Sequence, residues 1–322
     1  KIKVEPIIAG RWSSAGFGMF RDYTPNSVLW LTPGIKIHST FPLFNGISGM
    51  WIHAWGEFYK HSAYGFGGEI SEIKEKEFFP YNNEYTFGFL TPTIEPDNGI
   101  DFDEGQGGIS LLSPNFNITI GQFRVSQGPF YRGNLGISRH APAFTQIRMH
   151  AKISDKFHFT YFAGSLVSKI NNNIPIDTIY TDIWELASDQ LYHTSQIPDY
   201  QRYVVNHRLD IVSSPNFRFG LYEQVIFGAR NMPLLYLNPL MPYWSAQHES
   251  GDTDNLQMGL DWEYLRENIR FYGALMVDEW APYSTFKKDN RNWISYQLGL
   301  TYIIPTEVAK LVIKTEYTWN DP

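Results

Sequence analysis

Alternation of period two runs down almost the whole chain, and the polar side of many runs carries charge. In Leu256-Gln257-Met258-Gly259-Leu260-Asp261-Trp262-Glu263-Tyr264 every even position is apolar or aromatic and every odd one is polar or Gly. Successive strand side chains point to opposite faces, so each such run predicts a strand with one greasy and one wet face. Residues 293–303 repeat the pattern, with Ile294, Tyr296, Leu298, Leu300 and Tyr302 opposite Ser295, Gln297, Gly299 and Thr301. In 145–153, Ile147, Met149 and Ala151 oppose Gln146, Arg148, His150 and Lys152. Each unpaired buried charge costs several kcal/mol, so a face with Arg, His and Lys is no ordinary dry core.

The connections alternate in length. Short turns fall at Ser113-Pro114-Asn115, Ser154-Asp155-Lys156, Ser213-Ser214-Pro215-Asn216, Arg266-Glu267 and Pro305-Thr306-Glu307, with Pro80-Tyr81-Asn82-Asn83 a weaker sixth. Each carries turn chemistry between alternating runs and reads as a hairpin. Between the hairpins lie long segments, 126–143, 168–199, 229–254 and 279–292. Short periplasmic turns and long extracellular loops are the layout of an all-β, transmembrane, antiparallel outer-membrane β-barrel. About fifteen runs are counted, which predicts about 14–18 strands, most long enough for a tilted bilayer span.

Composition narrows the alternatives. Aromatic residues make up 16% of the chain while hydrophobic residues make up only 43%. Rings near strand ends, such as Trp262, Tyr264, Trp280, Tyr283, Trp293, Tyr302, Tyr317 and Trp319, suit an interfacial girdle in a bacterial outer membrane. No apolar run approaches the roughly 18 residues of a membrane-spanning helix. A net charge of −7 without any Lys/Arg block argues against nucleic acid as a partner. The absence of cysteine removes disulfides, thiolate nucleophiles, iron–sulfur clusters and Cys-based zinc sites. A water-soluble sandwich or propeller is the competing fold, although no repeat of about 40–50 residues favours a propeller.

No Gly-x-Ser-x-Gly, His-Glu-x-x-His, Walker A or dinucleotide fingerprint is present, so no enzyme is expected. The acidic stretch 97–105 offers Asp101 and Asp103 as weak Ca²⁺ ligands, but it lacks EF-hand spacing; no cofactor is expected. The segment 229–254 holds Tyr236, Tyr243, Trp244, Gln247, His248 and Glu249. Rings stack on apolar sugar faces and amides bond hydroxyls, so Tyr243, Trp244 and His248 are glycan-binding candidates. The alternative is a segment folded into the lumen as a plug. Arg124, Arg132, Arg139, Arg148 and His150 either form a cationic patch for an acidic glycan, which makes Arg132 and Arg139 glycan-binding candidates as well, or pair internally with Asp210, Glu223, Asp261 and Glu263. Arg148, His150, Asp261 and Glu263 are expected to face the lumen, with Leu256, Met258, Leu260 and Trp262 facing lipid. Glu223 shares a parity with Phe219, Leu221 and Val225, and a carboxylate facing lipid is expensive. Either a bulge re-aims it or it reaches the interface.

Asn238-Pro239-Leu240, Asp254-Asn255-Leu256, Gly259-Leu260-Asp261 and Phe271-Tyr272-Gly273-Ala274-Leu275-Met276-Val277-Asp278-Glu279 resemble segments of the Wzi-type capsule-assembly proteins of the outer membrane. Ile120-Gly121-Gln122-Phe123, Gln127-Gly128-Pro129 and Ser138-Arg139-His140-Ala141-Pro142-Ala143-Phe144 are similar to that family's strand and glycine-rich loop, as are His207-Arg208-Leu209-Asp210-Ile211 and Thr315-Glu316-Tyr317-Thr318 downstream. The family's Trp-Gly-Pro-Gly-like loop is Gln127-Gly128-Pro129-Phe130 here. The resemblance implies a lectin-like, non-enzymatic barrel that binds or retains capsular or other surface polysaccharide, with outer-membrane lipid around it. A passive diffusion channel and a structural subunit holding other envelope proteins are the alternatives. One barrel domain over 1–322 is expected. The odd strand count and the ending Asn320-Asp321-Pro322 lead to the expectation of further strands after Pro322, or of one more run at 16–23.

Overall fold

A computed structural model describes residues 2–13, 28–43, 49–64, 93–95, 99–138, 141–166, 201–228, 231–249, 254–280, 293–306 and 309–320. The expected extra run at 16–23, the turn at 80–83 and the long segment 168–199 lie outside them. The fold is all-β and antiparallel. Two compact units divide it, one of residues 1–112, 121–123 and 167–200, the other of 113–120, 124–166 and 201–322.

In the first unit β1 (Ile2–Ser13), β2 (Val28–Pro42), β3 (Trp51–Tyr64) and β5 (Gly99–Leu112) pair in that order, and the short β4 (Thr93–Glu95) pairs with β5. Ile35, Ile37, Phe58 and Ile109 are exposed. The opposite parity joins Lys36 to Glu57 at 2.7 Å and sets His61 3.6 Å from Glu104.

Through the second unit the strands follow one another as a meander: β6 (Phe116–Phe123, of which 121–123 belong to the first unit), β7 (Phe144–Lys152), β8 (Phe157–Leu166), β9 (Arg202–Ser214), β10 (Phe217–Gly228), β11 (Asn255–Arg266), β12 (Ile269–Asp278), β13 (Trp293–Pro305) and β14 (Lys310–Asn320). The five firmer sequence turns all sit at its hairpins. Ser113 N–H donates to Phe116 O, Ser154 N–H to Phe157 O and Thr306 N–H to Ala309 O. Glu267 adopts φ 43°, the left-handed geometry of a two-residue connection.

Exposure is inverted relative to a soluble sheet. Along β13, Leu298, Leu300 and Tyr302 are exposed at 42–45% while Ser295, Gln297 and Thr301 are buried at 6–8%. On β11, Leu260 is 37% exposed and Glu263 is 3% exposed. Strands with aliphatics outside and charges inside meet hydrocarbon on one face and a polar interior on the other, which is the pattern of an outer-membrane β-barrel.

Part of the apolar face is covered by the chain itself. After β10, a 3-10 turn (Leu234–Leu237) and a short helix α1 (Tyr243–Glu249) pack on β8–β11. Tyr236, Tyr243 and Ala246 bury Tyr161, Ala163, Val205, Val225, Phe227 and Leu256. Two expectations change. Leu256 is buried beneath this strap instead of facing lipid, and the strap lies on the apolar face instead of plugging a lumen. Strand parity fixes only which face a residue occupies; a long loop can cover either.

Glu223 has neither of the two expected solutions. The register shift in the β9–β10 ladder falls at Phe217/Arg218, before it, and Glu223 stays on the apolar parity opposite His207 and Met258. The strap shelters it. Its Oε2 lies 3.0 Å from His207 Nε2 and accepts the Tyr243 N–H at 2.8 Å.

Candidate functional site

The polar face of the second unit is built by parity and register. Asn206, Arg208 and Asp210 on β9 face the same way as Arg218, Tyr222 and Gln224 on β10 and Gln257, Asp261 and Glu263 on β11. Arg208 sits at the centre. Its Nη1 and Nη2 donate to the two Asp261 carboxylate oxygens at 2.5 and 2.8 Å, and its Nε donates to Asp210 Oδ1 at 2.8 Å. Gly220 makes the room: a Cβ there would lie 1.9 Å from Arg208 Nη2. Glu263 is shared, accepting from both Arg218 and Arg270. Charged groups this deep persist because each meets an opposite charge and further hydrogen bonds.

Across this face runs the loop 124–138. Val125, Gln127, Phe130 and Ile137 are buried in it, and the Gln127 N–H bonds Ile137 O at 3.1 Å to pinch it closed. Gly128 takes φ 123°, where an L side chain is strained, and Asn134 Oδ1 would lie 2.4 Å from any Cβ. Asn134 Oδ1 accepts the Phe130 N–H at 2.9 Å instead. The loop then reaches strand after strand. Gln127 Nε2 donates to Asn206 at 2.9 Å, Arg270 to Pro129 O at 2.7 Å and Gln297 to Gly133 O at 3.0 Å. Phe130 packs edge-on against Tyr272, with centroids 4.9 Å apart. At the far end Glu316 of β14 accepts the Tyr131 and Arg132 N–H groups at 2.7 and 2.9 Å and the Tyr272 hydroxyl at 2.8 Å.

Between loop and strands lies a polar cavity of about 200 Å³, with Gln127, Arg148, Thr160, Arg208, Asp210 and Asp261 among its lining residues. His150 is on the same face of β7 as Arg148, its Nδ1 3.1 Å from Thr160 Oγ1 and its ring 5.8 Å from that of His158.

The candidates from sequence thus separate. Arg148, His150, Asp261 and Glu263 share the polar face. Arg132 is exposed and bonds Glu316 only through its backbone, and Arg139 lies outside the described residues. Tyr243 is corrected as a sugar platform: its ring is fully buried, stacked 4.3 Å from His207, and burial pushes its hydroxyl pKa up. Trp244 and His248 remain near the surface, their rings 4.5 Å apart, with Trp280 6.2 Å from Trp244. Asp103 lies 3.4 Å from Lys60 and the side chain of Asp101 lies outside the described residues; no three His, Asp or Glu cluster as metal ligands among the described residues. Arg218, Arg270 and Glu316 were missed as site residues. For all three the signal is present, since each shares the parity of the polar face.

No family profile matches the chain, and no curated protein matches it. Solved structures show faint likeness. A structure titled "Asymmetric conductivity of engineered proteins" is 8% identical, with all of both chains covered and a TM-score of 0.30. OccK9 (OpdG) of Pseudomonas aeruginosa is 10% identical, covering 94% of this chain and 76% of its own, at a TM-score of 0.35. OccAB3 of Acinetobacter baumannii is 8% identical, covering 100% and 93%, at 0.30. Likeness at this level carries no argument about activity.

Proposed function

We propose that this chain belongs to a non-enzymatic outer-membrane β-barrel that passes small polar solutes through a lumen narrowed by the loop 124–138. The observation that carries the reading is the stapling of that loop across a charged strand face, from Asn206 on β9 to Glu316 on β14. Inverted strands put hydrocarbon outside, and a face holding Arg208, Arg218, Asp261 and Glu263 calls for a hydrated interior. A loop anchored by charge-assisted bonds across such a face narrows the space without hydrophobic sealing. Planar-bilayer recording tests this. The parent protein gives small, discrete conductance steps, and deletion of 129–136 enlarges them. Silent bilayers with both proteins, each shown to be folded and inserted, would overturn the channel reading.

The second reading is retention of a surface polysaccharide, as the Wzi-type resemblance implies. One observation favours it: the exposed rings of His248 and Trp280 both lie against the half-buried Trp244, the kind of ring cluster on which sugar faces stack. Capsular polysaccharide retention by purified protein, compared between parent and Trp244→Ala/Trp280→Ala, tests it separately from conductance.

A further inference from the structure

We infer that the polar cavity beneath the loop 124–138 is a binding site for a small hydroxylated solute carrying an oxyanion, with the guanidinium of Arg148 as its anchor. The other two arginines that line the cavity are committed, Arg208 to Asp261 and Asp210, and Arg218 to Glu263. Arg148 lines the same cavity from β7 and, among the described residues, has no hydrogen bond or close ion pair; Asp210, the carboxylate that attracts it, is already bonded by Arg208. A guanidinium carries five N–H donors and no acceptor, and at the half-buried Arg148 the protein takes up none of them. A carboxylate or phosphate satisfies two donors in one planar, bidentate contact.

Two further features point the same way. Gln127 Oε1 is buried at the cavity wall and accepts no hydrogen bond, while its Nε2 is held by Asn206. An orphan acceptor lining the same cavity as an unbonded guanidinium suits a ligand that carries a hydroxyl as well as an oxyanion, because a buried acceptor left unsatisfied costs about 1–3 kcal/mol. The three carboxylates that line the cavity, Asp210, Asp261 and Glu263, are all bonded by Arg208 or Arg218, which leaves the Arg148 guanidinium as the lining charge with no hydrogen-bonded partner. The hydroxyl of Thr160, on the strand between those of Arg148 and Arg208, adds a neutral donor or acceptor to the lining.

This inference rests on the polar face being a hydrated lumen wall, and its test is separable from that of conduction. Calorimetric titration of the purified full chain in detergent uses glucuronate, inorganic phosphate and glucose. The parent binds glucuronate saturably and glucose not at all; phosphate bound as tightly as glucuronate would show that the hydroxyl plays no part and overturn that half of the assignment. Arg148→Gln weakens glucuronate binding by about tenfold or more, and Arg148→Lys, which keeps the charge and loses the planar fork, weakens it less. If Arg148→Gln does not fold, Arg148→Lys must still bind glucuronate measurably more weakly than the parent. No saturable glucuronate binding by the parent, or equal binding by the folded Arg148 variants, overturns the site. Bilayer recording of the same preparations separates the two readings. Conduction without anion binding removes the site alone, and Arg148-dependent binding without conduction removes the channel alone.

Discussion

His207 Nε2 lies 3.0 Å from Glu223 Oε2 on the face of the sheet that otherwise carries Leu209, Leu221, Val225 and Met258. The pair survives there because the strap supplies what lipid cannot. Tyr243 gives its N–H to the carboxylate, Pro239 O lies 3.2 Å from the other ring nitrogen, and the Tyr243 ring stacks on the imidazole. His207→Ala leaves a half-buried carboxylate with one backbone donor, and should cost about 3 kcal/mol, the lower end for breaking a buried pair. The double variant His207→Leu/Glu223→Leu should recover most of that, since apolar replacement of a buried pair is often neutral. Urea unfolding of the four proteins in one detergent measures it; a double variant as unstable as His207→Ala would refute the pairing.

The fit of Arg208 against Gly220 gives a second test. Any side chain at 220 occupies the position of the guanidinium. Gly220→Ala should therefore displace Arg208 from Asp261 and destabilise by about 1–3 kcal/mol as an overpacking change. In the Arg208→Met background the same substitution should cost much less. Additive costs in the double-mutant cycle would mean the two residues do not compete for space.

How far the sequence reaches is visible in these residues. The faces of β7, β9, β10, β11 and β13 follow from period two alone, because a side chain cannot change face without a bulge. Arg148 and Asp261 were placed on their face that way, and so were Leu260 and Leu300. Non-local packing was not legible. Nothing local in 229–254 says that Tyr243 turns its ring onto His207, and nothing in 124–138 says that its backbone ends on a carboxylate about 185 positions away. The hydrophobic content of the strap is as consistent with a surface platform as with a cover. Glu316 looks like an ordinary alternating residue until the loop N–H groups are placed beside it.

Glu316 is the latch for the far end of the loop, and its removal should be seen there first. Glu316→Ala takes the acceptor from the Tyr131 and Arg132 N–H groups and from the Tyr272 hydroxyl at once. Bonds to charged acceptors are worth about 1.5–3 kcal/mol each, so local protection should fall even where the strands stay intact. Hydrogen exchange at residues 130–133 should speed by about tenfold or more, with exchange on β12 and β13 unchanged. Unaltered exchange in the loop would show that Glu316 does not hold it.

The sharpest test of the inverted sheet uses two positions of β11 on one face. Leu260 lies in the middle of the strand and is exposed, opposite Leu221 and Leu275. Tyr264 is exposed on the same parity but lies two residues before the Arg266-Glu267 turn, where an interface belongs. On a lipid-facing surface Arg costs roughly 2–4 kcal/mol at mid-depth and about 0–1 near the interface. Leu260→Arg should therefore destabilise strongly or block insertion into liposomes, while Tyr264→Arg should insert and unfold almost as the parent does. On a surface facing water both substitutions would be nearly neutral, since exposed sites usually change stability by less than about 0.5 kcal/mol. Equal, small effects at 260 and 264 in folded, liposome-inserted protein would remove the lipid from this face.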